Sequence, residues 1–334
     1  MADILTNTLA VDFEKQRELI YKPIFSESFI DRFFEIKENV QSKLQMPIVG
    51  RLPRGLKSWD RSCGLPAAPA GTSIVPRDLE VCAVQSYYEH CPNDWYETIF
   101  RTAQKNGVDT NNIIGTEFET IIAKIVGEQT LEDVWRILFF GDETSEDDDF
   151  NACTGFWKRI FDDIASYEIP ESQRYGVTST TLSECSAETI INGVIAAQTS
   201  YMRQVPKNQK FILVTGSIFD NLEICLGDKC CGDASWNAQQ NGFGDDVVFE
   251  TLKYRGYTVV AMRHWDIYIH DLGGTYPHRA AMWMPTNNFI GTDAWSNRNE
   301  VKIWYSDDDD INKVLVRMLL GYNYALADYI AVAY

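Results

Sequence analysis

The chain of 334 residues reads as an α+β protein, and three stretches carry that reading. Residues 299–334, NEVKIWYSDDDDINKVLVRMLLGYNYALADYIAVAY, contain three short strand-like runs. Residues 116–140 carry one long apolar stripe at helical spacing. Residues 186–290 alternate helical and strand-like segments, the pattern of a central sheet covered by helices.

Length and composition set the frame for these elements. A chain of this size buries roughly 75% of its unfolded surface, so a full core forms without staples. Hydrophobic residues make up 45% and charged residues 23%, the proportions of a globular protein. The formal net charge of −18 argues against gripping nucleic acid along its phosphates, which takes clustered Lys and Arg. It is compatible with enclosing nucleic acid behind a non-adhesive wall, and equally with simple solubility. The eight cysteines, at 63, 82, 91, 153, 185, 225, 230 and 231, show no CxxC pair and no zinc spacing. The N-terminal stretch MADILTNTLAVDFEKQ has no apolar core of a secretory signal, and no apolar run approaches the ~18 residues of a membrane helix. Folding in a reducing cytosol with free thiols is the expectation.

In chain order, residues 1–45 read as an arm with one helix. Ser28 can cap it, Asp31 suits its first turn, and Phe29, Phe33, Ile36 and Val40 fall on one stripe. Residues 46–80 form a proline- and glycine-rich excursion. Here Arg51, Arg54, Lys57 and Arg61 make a basic island in an acidic protein, and the apolar flanks Ile48–Val49 and Ile74–Val75 predict a long two-stranded ribbon. Such a ribbon is marginal alone in water, so it is expected to lie across a partner, its charge set against acidic surface at Asp142, Glu143, Asp147, Asp148 and Asp149. A flexible loop or a substrate lid are the alternative readings. Leu79–Tyr88 resumes strand alternation. Thr116 with Glu119 and Thr130 with Asp133 make two helix starts around Gly127, predicting a helix of about 25 residues or ~37 Å, kinked or straight.

Beyond the acidic run, GFWKRIFDDI is a short amphipathic helix. Ser186 opens a helix to about Met202, closed before Pro206. Phe211–Thr215 is a buried strand, and Ser217 with Asp220 opens the next helix, ending at Gly227. Asp245 and Asp246 open a further helix that Lys253, Arg255 and Gly256 close. Tyr257–Met262 and Ala280–Met284 are strands. Val301–Tyr305 alternates as a strand, Val314–Leu320 is a strand apolar on nearly both faces that Gly321 breaks, and Tyr324–Tyr334 is a last apolar run.

Chemistry-bearing residues are few. His264, Asp266, His270, Asp271 and His278 could be drawn as a metal site, but their spacing matches no metal motif. His264, Asp266, Tyr268 and His270 instead share the face of an alternating strand. Cys225, Cys230 and Cys231 with Asp228 and Asp233 lack an evident fourth soft ligand for zinc or iron. Thr215-Gly216-Ser217 lacks the glycines and lysine of a P-loop, and no GxSxG elbow is present. No catalytic, cofactor or metal residues are therefore assigned.

The order arm, basic excursion, long helix, α/β unit and closing strands resembles the major capsid proteins of tailed double-stranded DNA phages, the Hong Kong 97-type fold. Asn208–Leu222 (NQKFILVTGSIFDNL) looks like the strand and helix of its axial A-domain, and Gly256–Met262 (GYTVVAM) like the strand that follows. Pro285–Gly291 (PTNNFIG), with Val301–Tyr305 and Leu315–Gly321, looks like the return into its peripheral P-domain.

The resemblance implies an arm at 1–45, an E-loop at 46–80, a P-domain at 81–185 and 291–334, and an A-domain at 186–290. It implies a structural function without enzyme activity, cofactor or membrane: self-assembly into pentamers and hexamers of an icosahedral shell that encloses double-stranded DNA without reading its sequence. Portal, scaffolding, decoration and head-completion proteins are the implied further partners. The implied location is the virion, assembled in the host cytoplasm. Some members crosslink an E-loop lysine to a neighbour's asparagine; Lys57 is the one lysine near the loop tip, no asparagine matches, and that chemistry is not expected. An encapsulin-like compartment and a cytosolic α/β metal-dependent hydrolase built on His264–His278 are the rival readings.

Overall fold

The computed structural model describes residues 30–49, 74–90, 117–183, 185–228, 250–293, 302–306, 308–309 and 311–334. A first sheet contains β1 (Glu35–Lys37), β4 (Cys82–His90), β10 (Asn288–Thr292), β11 (Lys302–Ser306) and β12 (Ile311–Tyr324). Its spine is β12, 14 residues long. Antiparallel partners run along it: β11 against Ile311–Leu315, β4 against Asn312–Leu320, and β10 against Leu320–Tyr324. A second sheet has the order β5 (Arg174–Tyr175), β13 (Ala331–Ala333), β9 (Ala280–Trp283), β6 (Phe211–Thr215), β8 (Tyr257–Met262), β7 (Thr251–Tyr254). The third is a two-stranded ribbon of β2 (Lys43–Val49) and β3 (Ile74–Glu80).

Seven helices lie among the described residues: α1 (Ile30–Phe33), α2 (Glu117–Phe140), α3 (Phe156–Ala165), α4 (Ser186–Ala196), α5 (Ser200–Gln204), α6 (Gly216–Asp228) and α7 (Arg263–Asp271). The 24 residues of α2 run about 36 Å at 1.5 Å per residue, unbroken through Gly127. None is long and apolar enough to cross a membrane.

One aromatic core joins both sheets to α2. Phe139 of α2 lies 5.5 Å from Trp135, 5.1 Å from Trp265 and 5.5 Å from Trp283, while Phe34 meets Trp283 at 5.2 Å and Tyr322 at 6.0 Å. The second sheet alternates strictly between two cores: Leu213, Val260, Trp283 and Val332 face α2, whereas Ile212, Val214, Val259 and Met282 face α4 and α6. Burial on both faces explains why FILVT reads as one continuous apolar run. The strand β13 pairs with β9 and β5, so residues 331–333 lie inside the second sheet, between its edge strand β5 and β9, and not in the first.

Several local expectations are corrected. The helix expected from Ser28 ends at Phe33, and Ile36 lies in β1, which pairs in parallel with β10; a long-range partner overrides the helical stripe. Ser186–Met202 is two helices. Thr199 accepts the Met202 N–H at 3.1 Å and donates to Asp328 O at 2.7 Å, while buried Lys210 donates to Met202 O at 2.8 Å and Gln198 Oε1 at 3.0 Å. Burial lowers the Lys210 ammonium pKa. Lys253 and Arg255 close no helix: Lys253 lies in β7 and Arg255-Gly256, with φ of 50° and 82°, is the two-residue hairpin turn into β8. Asp245 and Asp246 lie outside the described residues. The strand expected at His264–His270 is helix α7, whose buried residues Trp265, Tyr268 and Ile269 have helical spacing. Gly321 does not break its strand, since β12 continues to Tyr324. The expectation of free thiols fails at Cys185 and Cys225, which form a disulfide across 40 residues because the start of α4 packs on α6.

Candidate assembly interface

The ribbon leaves the body at a built anchor. In β2–β3 the register pairs Lys43 with Glu80 and Val49 with Ile74, so the strands run outward together toward residues 50–73. At its base, Arg77 of β3 pairs with Asp163 of α3 at 3.2 Å and with Glu168 at 2.9 Å, and it stacks over the Tyr324 ring at 4.1 Å. Tyr324 donates its hydroxyl hydrogen to Asp163, and burial with that carboxylate pushes the phenol pKa up. Asn323 Nδ2 adds a bond to Asp78 O at 2.6 Å. The side chains of Arg77 and Asp163 are 17% and 16% exposed, so water screens this pair little and it ties β3 to α3.

The acidic loop between α2 and α3 is a shaped, exposed surface. Asp142 Oδ1 accepts from Thr144 N at 2.9 Å, Asp147 Oδ1 from Asp149 N at 3.0 Å, and Asp148 Oδ1 from Asn151 Nδ2 at 3.1 Å. The carboxylates thereby satisfy the turn's own donors, which keeps the loop in one shape and presents net negative charge to solvent. Glu143, Asp147, Asp148 and Asp149 are exposed, and Asp142 is half-buried 3.8 Å from Lys158 Nζ. Beside the loop lies a groove of about 640 Å³ between β4, α2 and β12. Val84, Ile137, Val316 and Met318 line its apolar part, and Asp133, Asp148 and Asp149 line its acidic part.

The histidine region has a different role. Asp266 Oδ2 accepts the Gly216 N–H at 2.6 Å and so caps α6, while burial raises its carboxyl pKa. His278 is buried, with Nδ1 2.9 Å from Ser217 Oγ and Nε2 3.0 Å from Thr180 O. A carbonyl only accepts, so Nε2 carries a proton and donates it to Thr180 O. His264 and His270 point to solvent from α7. Among the described residues no three His, Cys, Asp or Glu side chains are grouped to hold a metal ion. Cys225 is oxidised, and Cys230, Cys231 and Asp233 lie outside the described residues.

No protein-family model matches this chain, and no curated protein does. Among solved structures, a chain of the satellite phage P4 procapsid, determined with its size determination (Sid) protein, aligns with a TM-score of 0.58 at 12% identity. The alignment covers 100% of this chain and 91% of that one. A chain of Mycobacterium phage Ogopogo aligns at 0.56 and 11% identity, covering 92% and 91%. A chain from the capsid of an empty GTA particle aligns at 0.51 and 8% identity, covering 91% and 88%. The chain has the Hong Kong 97-type capsid fold. Within this Hong Kong 97-type fold, the acidic residues Asp142, Glu143, Asp147, Asp148 and Asp149 come together on one loop. Arg51, Arg54, Lys57 and Arg61 lie outside the described residues. Sequence reading missed the anchor of Arg77, Asp163, Glu168 and Tyr324. Its one available signal was Arg77 as the single base in the otherwise apolar and acidic strand IVPRDLE.

Proposed function

We propose that this chain is the major capsid subunit of a phage-type shell, assembling with copies of itself into pentamers and hexamers around double-stranded DNA. The observation that carries the reading is the ribbon β2–β3: within the capsid fold it is two-stranded, pairs with neither larger sheet, and is tied to α3 through Arg77 and Asp163. A lone two-stranded ribbon is marginal in water, and a neighbouring copy supplies the missing cover. Repetition by symmetry then makes a stable shell from modest contacts. In this reading Arg51, Arg54, Lys57 and Arg61 of one copy meet Asp142, Glu143, Asp147, Asp148 and Asp149 of the next. The division into arm, E-loop, P-domain and A-domain follows the same reading, as do the portal, scaffolding, decoration and head-completion partners and the location in the virion.

Negative-stain electron microscopy of the purified chain, with concentration raised stepwise at low and at physiological salt, tests it. Shells, rings or tubes are the expected products. A monodisperse monomer or dimer under every condition would overturn the proposal.

A further inference from the structure

Cys82 and Cys153 are free thiols, the first half-buried and the second buried. Two independent ties bring them together. Cys82 opens β4 directly opposite Leu320 of β12, and the carbonyl of that same Leu320 accepts from Cys153 Sγ at 3.2 Å. Glu143 Oε1 accepts from Cys82 Sγ at 3.5 Å and from the N–H of Thr154, next to Cys153, at 3.3 Å. Placed around the same Leu320 and Glu143, the thiols act on each other: the neighbouring Cys153 holds the Cys82 pKa below its usual value, while Cys82, together with burial, pushes Cys153 up. The pair is thus asymmetric, with a reachable, more acidic thiol backed by a sheltered one.

We propose that Cys82 and Cys153 are a redox modification site: Cys82 attacks a small-molecule disulfide such as oxidised glutathione, and Cys153 resolves the adduct into an intramolecular disulfide. In the first step the Cys82 thiolate bonds to one glutathione sulfur, the S–S bond of the oxidant breaks, and the departing thiolate takes up a proton. In the second, Cys153 releases its proton to solvent and bonds to Cys82 Sγ, expelling the second glutathione as a thiol. The protein loses two electrons and two protons, and the oxidant becomes two thiols. The new bond ties the first residue of β4, just beyond the ribbon, to the loop between α2 and α3 that bears the acidic residues.

The test uses the full chain at mildly alkaline pH with oxidised glutathione, then alkylation and cleavage after glutamate. Cleavage releases Cys82 in residues 81–89, free of Cys91, and Cys153 in residues 147–168. Mass spectrometry is expected to find these two peptides joined from the folded protein, and glutathione retained on Cys82 in C153S. The inference is overturned if folded wild-type protein leaves Cys82 reduced or stably glutathionylated, or if the joined peptides form only after unfolding in urea. The wild-type measurement decides on its own, should C153S fail to fold.

Discussion

Gly291 of β10 and Gly321 of β12 stand opposite each other in the antiparallel register, and the junction between β3 and β4 lies over both. A Cβ on Gly321 would sit 2.0 Å from Glu80 O and 2.9 Å from Val81 Cα; one on Gly291 would sit 2.7 Å from Val81 Cγ1. The missing side chains let the base of the ribbon cross the sheet at backbone contact. G321A must therefore move backbone, whereas G291A needs Val81 and Leu79 side chains to give way. Overpacking of this kind typically costs about 1–3 kcal/mol, and G321A should lie at or above the top of that range with G291A below it. Urea denaturation of the two variants checks the order; equal or negligible losses would contradict the contact.

Arg77→Ala should destabilise the chain by about 2–4 kcal/mol, because it strands Asp163 beside Tyr324 in a poorly solvated site. Arg77→Lys should recover little, since an ammonium cannot bridge Asp163 and Glu168 while stacking on the Tyr324 ring. Tyr324→Phe removes one hydrogen bond and keeps the stacking surface, for about 1 kcal/mol. Thermal melts of the three rank the contributions. If Arg77→Lys behaves like wild type, the planar, two-carboxylate geometry is not what holds the ribbon.

Much of the fold was legible in the sequence where the signal was local and long. The α2 stripe and the FILVT run were read correctly because many residues in each repeat one period. The failures share a cause. Phe33, Ile36 and Val40 fit a helix, yet Ile36 pairs with Ile290, far away in the chain. Gly321 looks like a breaker until Val81 is seen above it. Lys253 and Arg255 suit a helix C-terminus, but the positive φ of both Arg255 and Gly256 belongs to a hairpin. His264–His270 alternates over seven residues, while the burial of Trp265, Tyr268 and Ile269 is decided by the aromatic core they meet. The acidic half of the candidate interface was visible as a charge run. Its anchor was not, since Arg77 and Asp163 are brought together only by the tertiary fold.

Asp266 should give the chain a stability component that weakens as pH rises through the acid range. Burial raises its carboxyl above the ordinary 3.8, with bonds from Gly216 and Ser217 opposing the shift. The native state therefore holds this proton more tightly than the unfolded state. Its contribution is fully present below the unfolded value and is lost as pH climbs through the raised folded value. D266N keeps an amide oxygen for the Gly216 N–H but cannot titrate. Melting temperatures of wild type relative to D266N should fall as pH rises from below the ordinary aspartate value through the raised folded one, then run parallel. Curves parallel throughout would show that Asp266 does not titrate differently in the folded state.

Charge reversal offers the most direct check on the proposed pairing of the basic and acidic surfaces. Turning Asp147, Asp148 and Asp149 to Lys leaves the buried core untouched, since all three are exposed. The folded monomer should lose only the backbone bond to Asp147 and the side-chain bond to Asp148, a change of about 1 kcal/mol. Assembly should be lost, because like charges would face Arg51, Arg54, Lys57 and Arg61 at every repeated contact. Combining the acidic reversal with Glu at those four positions should restore particles, whereas the basic reversal alone should not form them. Since exposed charges are screened beyond ~8–10 Å at physiological salt, particle yield of wild type should also decline as salt is raised. Light scattering of the four proteins across a salt series reads all of this. Unimpaired assembly of the Asp147, Asp148 and Asp149 variant would mean that the basic residues meet some other surface.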